Sequence, residues 1–182
     1  MASCGNVSRR RAGALAIATA LAVPRLAAAG GSAPDAVAAA RARGNDKPEA
    51  TRIGRAIFKT TWPVQVTKIR VDAAGSHRVA GLVLSGAKFH AAVTPERFTD
   101  EVIALITQTF AASGVEEVDI WVILPLPTYA HEVVAGDLAH PTSYTVYAAT
   151  VRRGERDTFG ARLRRGEDVY WQPAWRDALG GR

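Results

Sequence analysis

Two nearly continuous apolar runs, residues 79–89 and 118–124, flank a segment whose apolar positions recur every three or four residues. In the first run Val79, Val83, Ala87 and Phe89 fall on one alternating face and Ala80, Leu82 and Leu84 on the other. That pattern predicts a strand buried on both sides and central in its sheet. The segment that follows opens Thr94-Pro95-Glu96, with a capping hydroxyl, a proline at the first helical position and a carboxylate at the positive end of the helix dipole. Phe98, Val102, Leu105, Ile106 and Thr109 then mark one face of a helix that Ser113-Gly114 ends. The second run is rich in β-branched and aromatic residues and is closed by Pro125 and Pro127, which cannot extend a ladder. Strand, crossover helix and strand predict two parallel neighbours whose C-terminal ends share one rim.

Around this unit the pattern adds two strands. Residues 64–71 switch face from Val64 and Val66 to Ile69 and Val71, which predicts a bulge near Thr67-Lys68. The turn chemistry of Asp72-Ala-Ala-Gly75-Ser then predicts an antiparallel hairpin. Residues 143–151 form the last expected strand, after a long loop over 125–141. The expected fold is therefore α+β: a ββαββ core of one mixed four-stranded sheet with a single main helix on one face. The tail from Arg152 carries Phe159, Leu163, Tyr170, Trp171, Trp175 and Leu179 among eight arginines. It is expected to pack on the domain over the sheet face that the helix leaves bare, with arginine stems covering apolar surface.

The start of the chain changes how composition is read. Residues 1–29 have the order of a cleaved export signal: Ser8-Arg9-Arg10-Arg11, an apolar stretch over 12–23, and small residues at Ala27 and Ala29 before Gly30-Gly31. The Ser-Arg-Arg start resembles a twin-arginine signal, although Ala12 and Gly13 stand where that signal usually has large apolar residues. The twin-arginine and general secretory routes both remain open. Residues 30–52 are small, polar and proline-punctuated and predict a flexible linker with at most a frayed helix, so the single α+β domain is expected over 53–182.

Cleavage near Ala29 removes four of the 23 basic residues, none of the 17 acidic ones, and the only cysteine, Cys4. The remaining net charge of +2 is poor support for nucleic-acid binding, and no disulfide or thiol chemistry is left. No stable membrane anchor is expected after cleavage, and the location expected is the periplasm or the exterior. Charge is also segregated. Residues 90–149 hold eight acidic residues against Arg97 alone, so pairing of tail with middle is expected.

No phosphate-binding loop, His-Glu-x-x-His or nucleophile elbow is present. Candidate chemistry is confined to the strand-end rim, where His90 follows the central strand and His131, Asp137 and His140 lie in the long loop. Two or three imidazoles with a carboxylate would hold zinc with an open position or act as general acid and base. His77, at the opposite end of its strand, cannot join them. Asp119, a carboxylate inside an apolar strand, is expected near the exposed start of that strand, paired with a tail arginine.

The preferred reading is a non-enzymatic exported module with no cofactor, which binds a protein or small-molecule partner or pairs with itself as a homodimer. Trp62 at the rim and Trp171 and Trp175 in the tail are the residues expected to meet that partner. The alternative is an enzyme, zinc-dependent or general acid/base, that uses His90, His131, His140 and Asp137.

Overall fold

A computed structural model describes residues 33–89, 93–126 and 143–180, all within one unit, Gly31–Arg182. The signal read over 1–29 lies outside them. In chain order the elements are α1 (Ala33–Arg41), β1 (Ala42–Gly44), α2 (Lys47–Ile57), β2 (Val66–Ala74), β3 (His77–Ser85), α3 (Pro95–Ala112), β4 (Glu117–Pro125), β5 (Ser143–Arg152), α4 (Phe159–Arg164), β6 (Val169–Trp171) and α5 (Pro173–Ala178). The six strands form one mixed sheet in sequential order, parallel at β1–β2 and β3–β4 and antiparallel elsewhere.

The order strand, helix, parallel strand stands as its pattern predicts, although β3 ends at Ser85 rather than Phe89. Thr94 Oγ1 accepts from the Arg97 amide at 3.3 Å, and α3 buries Phe98, Val102, Leu105, Ile106 and Thr109. The bulge falls between Val66 and Lys68, where register shifts against β3. The architecture is larger than the expected four strands and single helix, because each extra strand has three residues, too few for alternation to show.

The segment expected to be a linker is part of the fold. Asp46 caps α2 by accepting from the Glu49 amide at 3.1 Å, and Ala50, Ile53, Gly54 and Ile57 make the buried face of that helix. Gly44 has φ +89°, and a Cβ there would stand 2.2 Å from the Val71 carbonyl oxygen, so only glycine admits β1 against β2. Beside it, the Asn45 side chain donates to the Ala73 carbonyl at 3.0 Å and accepts from the Ala73 amide at 2.7 Å. Gly-Asn-Asp, read as loop punctuation, is in fact an edge fastening.

The helices share one side of the sheet. Ile53, Ile57, Phe98, Leu105, Phe159, Leu163 and Trp175 pack in a single core with Ile69, Val71, Ala80, Leu82, Val118, Ile120 and Tyr147. β3 is central but, contrary to expectation, is covered on one side only: Ala80, Leu82 and Leu84 are buried, whereas Val79 and Val83 are half-buried on the opposite side.

The tail, too, packs on the helix side rather than over the bare face. The reason is register. Trp171 pairs with Tyr147 and Tyr170 with Ala148, so Trp171 shares the face of buried Tyr147 and Tyr170 points away. Charges pair across tail and middle at Arg152–Glu117 (3.3 Å) and Arg164–Asp100 (2.8 Å), while Arg165–Glu167 and Arg162–Glu155 close within the tail.

Candidate interaction surface

Strand register lays the bare side out in three rows. One runs Lys68, Val83, Trp121, Ala148, Tyr170 across β2 to β6; the next runs Arg70, Gly81, Asp119, Thr150; the third runs Asp72, Val79, Glu117, Arg152. Trp121 is 37% exposed and Tyr170 51%, and neither joins the core. A Cβ on Gly81 would stand 2.7 Å from a Trp121 ring carbon, so the indole leans over β3 and the glycine makes room for it. Val79, Val83 and Ile123 extend this apolar patch as half-buried neighbours.

Charge frames the patch. Arg70 pairs with Asp72 along β2, and Arg152 with Glu117 across β4 and β5. Asp119 sits between them, half-buried, and its Oδ1 accepts from the Thr150 hydroxyl at 2.6 Å. Its partner is therefore a threonine and not a tail arginine. Desolvation raises its pKa above the ordinary aspartate value and Glu117 adds repulsion, while the Thr150 bond acts in the opposite direction. Beside this row a shallow hollow of about 560 Å³ is lined by Ala148, Thr150, Arg152 and Tyr170 and walled by Arg162 and Asp168.

The tryptophans expected to meet a partner lie on the other side. Trp62 and Trp175 are buried and Trp171 is half-buried, in a cluster of six rings around Phe98. Trp62 meets Phe89 edge-on at 4.7 Å, which brings the start of β2 to the rim where β3 ends. His90, His131, Asp137 and His140 lie outside the described residues. Among the described residues no group of three or more His, Cys, Asp or Glu is placed to hold a metal, and no helix is long and apolar enough to cross a membrane. His77 Nδ1 lies 3.2 Å from Glu116 at the start of β3.

Trp121 escaped the sequence reading because a tryptophan amid Val, Ile and Leu looks like core. Only the asymmetric placement of helices exposes it. Compared with protein-family models, curated proteins and solved structures, the chain matches none.

Proposed function

We propose that the chain is an exported, non-enzymatic interaction module whose working surface is the bare face of the sheet. The observation that carries this is the one-sided placement of the helices, which leaves Trp121, Tyr170, Val79, Val83 and Ile123 without a covering layer among the described residues. A contiguous apolar patch rimmed by charge marks an interaction site more often than a solvated surface. The partner chemistry that fits is a flat folded protein surface: an apolar centre to meet Trp121, and mixed charges to meet the Arg70–Asp72 and Arg152–Glu117 pairs. Export follows from the signal-like order of residues 1–29, and N-terminal sequencing of the fractionated protein should begin near Gly30.

Hydroxyl-radical footprinting tests the surface without knowledge of the partner. Trp121 is expected to oxidise several-fold more slowly in intact cells than in the dilute purified chain. Buried Trp175 should be slow in both. Equal rates for Trp121 in the two settings would overturn the reading.

A further inference from the structure

We infer that the occupant of the bare face is a second copy of the chain, packed face to face about a two-fold axis that runs parallel to the strands between β4 and β5. The inference rests on the interaction-module reading and names its partner.

A surface that pairs with itself must be complementary to itself under the two-fold operation. An axis parallel to the strands lays each row on the same row of the other copy, in reverse strand order. With the axis between β4 and β5, Trp121 of each copy faces Ala148 of the other, Val83 faces Tyr170, Asp119 faces Thr150 and Glu117 faces Arg152. Two of these four contacts pair apolar with apolar. The other two set the carboxylate–hydroxyl and acid–base pairs of one copy opposite those of the other, so that each group meets its complement across the seam as well as within the copy.

The other face-to-face arrangement, with the axis across the strands, lays each strand on its own copy with the rows exchanged. With the axis on the middle row Arg70 would meet Arg70, Asp119 would meet Asp119 and Trp121 would meet Glu117; with it on the Trp121 row Lys68 would meet Lys68. Charge therefore selects the parallel axis.

Shape agrees. Trp121 leans away from β5 over Gly81, and the small side chains of Ala148 and Thr150 leave the hollow beside Tyr170 open. The indole lies along its own sheet over Gly81 with one face outward, and the two-fold axis lays that face over the hollow of the other copy, twice. The overlap, nine residues long on β4 and β5 but three on β3 and β6, covers roughly 400 Å² of sheet per copy from strand spacing and rise. That is below what a stable dimer buries, so a weak, concentration-dependent dimer is expected, populated only at high concentration.

The test is sedimentation velocity on the chain expressed from its full sequence and processed by the cell, from about 1 μM to about 1 mM. A monomer–dimer equilibrium is expected toward the upper end of that range. Trp121→Ala should weaken it at least about tenfold, as loss of a central aromatic anchor does. Glu117→Arg should weaken it to a similar degree by setting two arginines against each other, and Glu117→Arg with Arg152→Glu should recover the wild-type constant within about threefold. Ala148→Trp, which fills the recess, should leave the chain monomeric. Melting curves establish that each variant is folded.

A monomer at the highest concentration, a dimer indifferent to Trp121→Ala, or a double exchange without recovery would overturn the inference. The two readings fail separately. Trp121 protected in cells while the purified chain stays monomeric removes the second copy and leaves the interaction module standing; Trp121 unprotected in cells removes both.

Discussion

The two faces of the central strands are built from similar residues and meet different fates. Ala80, Leu82, Leu84, Ile120 and Val122 lie under helices and are fully buried, whereas Val79, Val83, Trp121 and Ile123, one residue out of phase on the same strands, are not. What separates the faces is their flanks. Beside the first set, β2 and β5 present Ile69, Val71, Tyr147 and Ala149; beside the second they present Lys68, Arg70, Asp72, Thr150 and Arg152. A core needs apolar rows that run the width of the sheet, and an interface needs only an apolar centre with a polar rim. The helix face has apolar rows of the first kind; the bare face has an apolar centre with charged flanks.

The sharpest way to break this comparison is to truncate one large aromatic on each face. Phe98 touches the rings of Trp62, Phe89, Tyr147, Trp171 and Trp175 at centroid distances of 4.9–5.7 Å and is fully buried. Phe98→Ala is expected to lower unfolding free energy by about 3–5 kcal/mol in urea titration of the dilute chain. Trp121→Ala removes a larger side chain, yet in the dilute chain it should cost less, about 2 kcal/mol, because over a third of that residue is in water already. Equal losses would mean that the bare face is as much core as the covered one.

Two polar fastenings exist only on the helix side. Glu49 is 1% exposed; its Oε1 accepts from the Gly114 amide at 2.7 Å and its Oε2 lies 2.9 Å from the Arg52 guanidinium, tying α2 to the junction of α3 and β4. Glu49→Ala leaves that amide without its acceptor and is expected to cost about 2 kcal/mol, most of it from this half-buried charge-assisted bond, since Arg52 is largely in solvent. Arg153 replaces the missing left-handed cap of α3. Its guanidinium donates to the carbonyls of Val115 at 2.6 Å, Ser113 at 2.7 Å and Phe110 at 3.2 Å, and stands 4.9 Å over the Phe110 ring. Arg153→Ala should cost about 2 kcal/mol. Arg153→Lys, a point donor in place of a fork, should recover only part of that. Thermal melts rank all three.

These fastenings also explain what the sequence conveys and what it hides. The α3 cap, the crossover and the bulge at Thr67 are local events, encoded within a few residues, and each is legible. Glu49 binds an amide 65 positions away, and Arg153 reaches back about 40 to cap a helix. Neither has a local signature, so Glu49 reads as part of a polar linker and Arg153 as one more tail arginine. β1 and β6 are hidden for a related reason: three-residue strands are specified by partners, through Gly44 against Val71 and Trp171 against Tyr147, and not by their own alternation. The bare face is the harder case. Strand periodicity says that a residue is on one side or the other, but which side the helices cover depends on where the tail docks. Assigning the tail to the other side makes Trp171 and Trp175 look exposed, whereas Trp62 is chosen for its place at the rim and Trp121 reads as core from its apolar neighbours.

The smallest expected effect lies where the two faces differ in electrostatics. Asp119 stands on the bare face with its pKa raised, chiefly by desolvation and further by Glu117, despite the bond from Thr150. Because the folded-state value lies above the unfolded one, folding disfavours the ionised form. The penalty is absent below the ordinary aspartate pKa, grows as pH rises through the window between the two values, and is fully present at neutral pH. Asp119→Asn keeps an acceptor for Thr150 and removes the charge, so it should stabilise the dilute chain at pH 7 by less than about 1 kcal/mol after allowance for solvent screening, and by nothing at pH 3. Paired urea titrations at the two values check this. A gain that persists at low pH would mean that packing, and not charge, distinguishes the variant. A loss at pH 7 would show that the carboxylate is held by a favourable partner on this face, the opposite of a surface whose central rows are kept only partly solvated and whose charges belong at its margins.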